Sequence, residues 1–302
     1  LLALLLITLW KRFPYRPWRF LHQAMPALYL MLAFHAVLLA PTIYWTQPVG
    51  WLLAVLITGG VYGSIVALSG RIGHSRQFQG EIVAVDRSSS AVVAVRCRLH
   101  QRWPGHRAGQ FAFIRFDDRE GQHPFTIASA DHGDRELSFE IKALGDYTRS
   151  LGKRLQAGQP VCVEGPYGRF DIARQDRQAQ QIWIAGGIGV TPFLAWLELL
   201  QERPADAPAA ELHYCTRDRV DDPFVTRLTA LCASLPAIRL QVHGSRQGEE
   251  LTAEMLATGK DPSRRAEVWF CGPQGLATAL HDGLQRIWRG GLRFQQEAFA
   301  LR

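Results

Sequence analysis

Residues suited to redox chemistry occur in three places. The first is His123-Pro124-Phe125-Thr126-Ile127-Ala128-Ser129, followed by Lys142 and Thr148. Phe125 offers an aromatic contact and Thr126 a hydroxyl, which suit a flat ring with a polar edge. His123, Lys142 and Thr148 offer cations and a hydroxyl, which suit phosphates, so together they read as a flavin seat. Gly145-Asp146-Tyr147-Thr148 precedes an expected helix at 149–155, where free N–H groups stabilise an anion; the same residues also read as an ordinary N-cap.

The second place is Gly186-Gly187-Ile188-Gly189-Val190-Thr191-Pro192-Phe193. Glycine at 186, 187 and 189 lets a pyrophosphate approach the backbone, and a helix start at Thr191 and Pro192 favours its charge. The spacing is not GxGxxG, and a tight strand-to-helix turn packed on its own sheet is the competing reading. The third place is a row of strand ends: Arg217, the Ser245-Arg246 pair, and Cys271-Gly272-Pro273. Two arginines there suit a ribose 2′-phosphate, which points to NADPH over NADH. They also read as solvated surface arginines, and Cys271 as a buried small residue.

The elements that must position these residues follow from periodicity. From 77 to 173 the chain alternates apolar and polar residues in short runs at 80–85, 91–97, 111–116, 137–142 and 160–164, separated by glycine and aspartate turns. That pattern predicts a small antiparallel β-barrel. From 178 to 302 apolar strands at 181–185, 211–215, 238–243 and 267–271 alternate with helical stretches at 192–201, 222–235, 251–257 and 276–288. Strand–helix alternation predicts an open parallel sheet with covered faces, whose ligands bind beyond the carboxyl ends of the strands. The stretch 202–209 reads as a surface loop.

Residues 1–73 differ. Two apolar runs, 20–40 and 49–68, are long enough to cross a bilayer, and residues 1–10 read as the tail of an earlier helix. The loop 11–19 holds four basic residues and should be cytoplasmic; the loop 42–48 has none and should face outward; Arg71, His74 and Arg76 mark the return. A buried helical hairpin in a soluble core is the alternative. His22 and His35 lie in the first run, about 20 Å apart along a helix axis. Imidazole at membrane depth suits haem iron or a polar interhelical contact. The 302 residues carry a net charge of +7 without a basic tail or zinc-finger spacing, which argues against nucleic acid and for an anionic lipid surface. The five scattered cysteines form no CxxC pair, which argues against a disulfide scaffold and a cysteine-ligated cluster.

Taken together, these motifs resemble the flavoprotein reductase superfamily of ferredoxin–NADP reductases, and within it the membrane branch of NADPH oxidases and ferric reductases. His123-Pro124-Phe125-Thr126 resembles that branch's flavin signature, Gly145 to Thr148 its second flavin motif, and Gly165-Pro166-Tyr167-Gly168 the barrel-to-nucleotide junction. Gly186 to Phe193 resembles the pyrophosphate motif, Cys271-Gly272-Pro273 the motif beside the nicotinamide, and Glu297-Ala298-Phe299 the acidic–aromatic ending beside the flavin. The resemblance implies membrane helices (1–73), an FAD-binding antiparallel barrel (77–173) and an α/β NAD(P)H-binding domain (178–302). It implies that Cys271, Glu297 and Phe299 shape the hydride site. It further implies two haems b, with His22 and His35 as inner and outer ligands whose partner histidines lie on helices preceding this sequence. The implied reaction runs from NADPH or NADH through FAD and the haems to a ferric chelate or oxygen. A superoxide-generating oxidase and a reductase module serving a separate protein partner are the alternatives. The chain would be a multi-pass membrane protein with both nucleotide domains cytoplasmic.

Overall fold

The computed structural model describes residues 21–70, 73–87, 91–100, 103–117 and 121–297. The expected helix tail at 1–10, the basic loop at 11–19, Arg71 and Phe299 lie outside the described residues. The chain divides into two units, one reaching to Ser75 and one running from Arg76.

The first unit is a helical hairpin. A helical run from Leu21 contains α1 (Met25–Leu39); a 3₁₀ turn at Thr42–Thr46 leads to α2 (Pro48–Leu68). Pro26 and Pro48 stand in the first turns, where a missing N–H costs nothing. Ala40 turns extended ahead of Pro41, as the residue before proline does. Tyr29 Oη donates to the Leu56 carbonyl at 3.2 Å and pins the two helices together. Only 6% of each apolar stretch is buried. Apart from Leu144, Val220 and Met255, every exposed large apolar side chain among the described residues lies between Met25 and Leu68. This is opposite to the buried core hairpin that the composition also allowed.

The second unit begins with the barrel. Its strands are β1 (Gln77–Asp86), β2 (Val92–Leu99), β3 (Phe111–Arg115), β4 (His123–Thr126), β5 (Glu136–Lys142) and β6 (Pro160–Tyr167). They form an antiparallel sheet in the order β4-β3-β6-β1-β2-β5, and a bridge between Ile127 and Phe139 joins the two ends. Alternation along β5 buries Leu137, Phe139 and Ile141 and leaves the residues between them half-exposed. A short helix, α3 (Asp146–Arg154), follows β5.

The remainder is a parallel sheet in the order β11-β10-β7-β8-β9. Its strands are β7 (Gln180–Gly186), β8 (Ala210–Thr216), β9 (Ile238–Gly244), β10 (Ala266–Cys271) and β11 (Leu292–Glu297). The crossover helices are α4 (Thr191–Glu202), α5 (Pro223–Ala233), α6 (Ala253–Ala257) and α7 (Gln274–Ile287). Periodicity missed β11, because Leu292–Glu297 is short, largely polar and nowhere fully buried.

Barrel and sheet share one packed junction. Trp196 of α4 stacks on Phe170 at 4.9 Å, and its Nε1 donates to the Ala108 carbonyl at 2.9 Å. Arg227 of α5 donates to Glu140 of β5 at 2.6 Å and to Glu198 of α4 at 2.9 Å. Burial pushes the Glu140 carboxyl up, and the Arg227 charge opposes that shift.

Candidate functional site

Strand register builds the centre of the site. β7, β10 and β11 pair so that Ala185, Cys271 and Glu297 lie side by side at their carboxyl ends. The strand order reverses between β7 and β10, where open α/β sheets hold their ligands. Immediately beyond β7 the chain makes its glycine turn. Gly187 adopts φ +55°, a left-handed conformation that disfavours any side chain. A Cβ on Gly189 would overlap the Cys271 carbonyl, so glycine there permits direct contact between the two turns.

A cavity of about 940 Å³ opens at these strand ends. Its walls include Gly186, Gly187 and Gly189, Arg217, Ser245, and Gly272 with Pro273; Lys142 and Leu144 of the barrel close one side. Seven of the residues singled out from sequence therefore converge: Lys142, Gly186, Gly187, Gly189, Arg217, Ser245 and Gly272. On the nucleotide side, Thr191, Pro192, Arg246 and Cys271 do not line this cavity. Thr191 is buried and donates its hydroxyl to the Ile188 carbonyl at 3.1 Å, and Pro192 is buried in the helix start, so both build the turn. Arg246 pairs with Asp218 at 3.0 Å.

The barrel contributes side chains. On β4, His123, Pro124, Phe125 and Thr126 pair with Ile114, Phe113, Ala112 and Phe111 of β3. Pro124 is tolerated because β4 ends the sheet order, where a ladder N–H is dispensable. The His123 ring stacks on Tyr147 of α3, centroids 4.0 Å apart and planes 18° apart. Sequence reasoning did not single out Tyr147 as a partner; its ring within the Gly145–Thr148 motif was the available signal. The Thr148 hydroxyl accepts from the Leu144 and Gly145 N–H groups at 3.0 Å each and is thereby committed to capping α3. Thr126 is different: its Oγ1 is buried without a hydrogen-bond partner among the described residues. Its hydroxyl is the polar atom a flavin edge would satisfy.

Glu297 meets the barrel as well. A Cβ on Gly168 would sit 3.4 Å from Glu297 Oε1 and 3.0 Å from the Phe111 ring. Among the described residues Glu297 Oε2 is buried without a partner, and burial raises its carboxyl to about 7. Cys271 is fully buried; burial first, and the Glu297 charge second, push its thiol well above the usual range. It is a protonated packing residue at neutral pH, not a thiolate. Beside the cavity, His213 Nδ1 and His243 Nε2 lie 3.1 Å apart in a buried pair, and burial with the His243 charge lowers His213 to about 4.

His22 and His35 stand exposed on the hairpin. Among the described residues no group of three or more His, Cys, Asp or Glu side chains is placed to hold a metal ion.

Comparison with known proteins agrees with this geometry. A family model described as an FAD-binding domain matches residues 77–171. The anthranilate 1,2-dioxygenase electron transfer component of Acinetobacter baylyi is 24% identical over 204 residues, which cover 65% of this chain and 59% of that protein. Respiratory burst oxidase homolog protein E of Arabidopsis thaliana is 27% identical over 214 residues, covering 61% of this chain and 22% of that one. The cytochrome b5 reductase domain of Ulva prolifera nitrate reductase superposes with a TM-score of 0.61 at 20% identity, covering 74% of this chain and 98% of that domain. The chain spans about three-fifths of the length of the first curated relatives it matches. From Arg76 onward the chain has the fold of ferredoxin–NADP reductases, and its residues 77–171 match the FAD-binding domain.

Proposed function

We propose that the chain is the reductase part of an electron-transfer system, oxidising NAD(P)H and delivering single electrons to a redox centre on a separate protein component. One observation carries this reading. Among the described residues, a buried Thr126 hydroxyl on the barrel and a buried Glu297 carboxyl oxygen on the sheet are left unpartnered, and the glycine turn lines the cavity. When bound there, FAD supplies the conversion of a two-electron hydride into single electrons. The chain's own residues bind and orient. The backbone at Gly186–Gly189 and the N-terminus of α4 would take the dinucleotide pyrophosphate, with Lys142 adding a charge from the barrel side. Thr126 and the His123–Tyr147 stack would seat the flavin. Cys271 would set how closely the nicotinamide approaches, and Glu297 holds a proton near neutral pH beside it. Phe299 would complete the site.

The protein-partner reading draws on the curated relatives, whose names include electron transfer and reductase components of oxygenases. A second reading is favoured by the hairpin. Its two long apolar helices suit a bilayer, with the module on the cytoplasmic side, and His22 and His35 would each help to hold a haem b, which would supply one-electron transfer. Electrons would then leave for a ferric chelate or oxygen, as in a ferric reductase or NADPH oxidase.

The test uses the full chain in detergent, loaded with FAD and mixed anaerobically with NADH or NADPH. Bleaching of the flavin absorbance within seconds supports the reductase reading; no bleaching with either nucleotide overturns it. Low-spin bis-histidine haem bands in membranes carrying the chain would replace the protein-partner reading with the haem relay.

A further inference from the structure

The far end of the cavity is bounded by the turns after β8 and β9, and its two arginines are held differently. Arg217 lines the cavity, and among the described residues its guanidinium makes no hydrogen bond or ion pair. Arg246 donates through Nη1 to Asp218 Oδ2 at 3.0 Å. Gln247 Nε2 donates to Asp218 Oδ1 at 3.0 Å, and the Val220 N–H to the same oxygen at 3.2 Å. The Arg246 N–H also donates to the Arg217 carbonyl at 2.9 Å, so the two turns are tied through backbone as well as side chain. Asp218 itself lines the cavity beside Arg217 and Ser245. Hydrogen bonds from Arg246 and Gln247 hold its carboxyl below the usual carboxylate range, so it stays ionised wherever the protein is folded at neutral pH.

A phosphate monoester brings about −1.5 to −2 charges and is bound best by forked arginine donors. Here one N–H of the Arg246 guanidinium is already donated to a carboxylate, and that carboxylate would face the incoming phosphate. A ribose 2′-hydroxyl meets the opposite situation, because an ionised carboxylate readily accepts a hydrogen bond from it. We propose that Asp218 sets the donor preference: it withholds Arg246 from a 2′-phosphate, so the chain takes the unphosphorylated dinucleotide NADH at least as well as NADPH. This rests on the reading of the cavity as a pyridine-dinucleotide site. It departs from the simple arginine count, which favoured NADPH.

Isothermal titration of the full chain in detergent with 5′-AMP and with adenosine 2′,5′-bisphosphate separates the two layers. The native chain should bind both within about threefold of each other. Asp218→Asn should tighten the bisphosphate by about tenfold and leave 5′-AMP no tighter than in the native chain, and adding Arg246→Ala should abolish that gain. Asp218→Ser, with a thermal melt matching the native chain, gives the same readout should the asparagine disturb the turn. Binding of both ligands with a ratio unmoved by either Asp218 variant overturns this inference alone. So does a selective tenfold loss of the bisphosphate in Arg246→Ala by itself, since that would place Arg246 on the phosphate already. Failure of the native chain to bind either ligand overturns the dinucleotide reading and this inference with it.

Discussion

Leu52 on α2 is 60% exposed, whereas Leu197 on α4 is fully buried, although both belong to helices that are apolar on most faces. Length and neighbours separate the two cases. A helix apolar all round belongs either in a protein core or in a bilayer. α4 has 12 residues and disappears into an aromatic cluster, with Trp196 against Phe170, Trp183, Phe193 and Trp269. α2 has 21 residues, enough for the ~20 that a crossing needs, and turns Trp51, Leu52, Val55 and Leu56 outward. The module hides its apolar surface and uses the resulting interior to perturb ionisable groups. The hairpin displays its apolar surface.

The strongest way to break this contrast is to open the module's core. Trp196→Ala removes a fully buried ring that contacts four aromatic side chains and donates across the barrel–sheet junction. A loss of about 3–5 kcal/mol is expected, read as a lowered urea midpoint of the full chain. A loss below about 1 kcal/mol would mean that the junction is not the packed core described. Gly189→Ala acts on function as well as on stability. The new methyl overlaps the Cys271 carbonyl, so the turn must shift by a fraction of an ångström to an ångström. Nucleotide-driven flavin reduction should fall about 100-fold, and the melting temperature should fall with it, because the atoms that must give way are backbone. An unchanged rate would remove the glycine turn from the site.

The buried histidine pair tests the interior through pH. His213 ionises near 4 in the folded chain against 6.5 unfolded, so between those values the unfolded chain binds more protons than the native one. Stability is therefore full above about 6.5 and declines as pH falls toward 4, by an amount on the order of 2 kcal/mol. His213→Gln should flatten that decline in melting temperature; an unaltered slope would assign it to other groups. Glu297 has the opposite sign. Its folded value near 7 lies above the unfolded one, so its contribution is complete below about 4.5 and is lost as pH rises through 7. The flavin reduction rate should change across pH 7 in the native chain and run flat in Glu297→Gln, a difference of up to about tenfold.

Much of this was legible beforehand because it rests on period and backbone. Alternation around Ile82, Phe139 and Val163 named the barrel strands, and the glycines at 186, 187 and 189 named the turn. What escaped depended on side-chain geometry between distant segments. Asp218 captures Arg246 across 28 residues, and His123 meets Tyr147 through the fold of α3 onto β4. Neither pairing leaves a periodic trace. β11 escaped because a short strand gains its register from β10, not from its own pattern. Thr148 shows the reverse case, since an N-cap and a phosphate hydroxyl look alike in sequence, and only the bonds from Leu144 and Gly145 identify the cap.

The smallest expected effect is also the sharpest on the hairpin. In water, an exposed leucine contributes little to folding and its truncation falls within about ±0.5 kcal/mol. In a bilayer the same truncation exchanges one apolar surface for a smaller one against lipid, which again costs little. Leu52→Ala therefore cannot distinguish the two, but Leu52→Arg can. At an aqueous surface an arginine is welcome and should raise solubility without altering the thermal melt. One turn inside the end of a span it costs less than the ~2.5–3.5 kcal/mol of the helix centre, and the chain should still shift from the membrane fraction to the soluble or degraded pool. An arginine at 52 that leaves membrane association unchanged would show that the apolar face of α2 meets something other than lipid.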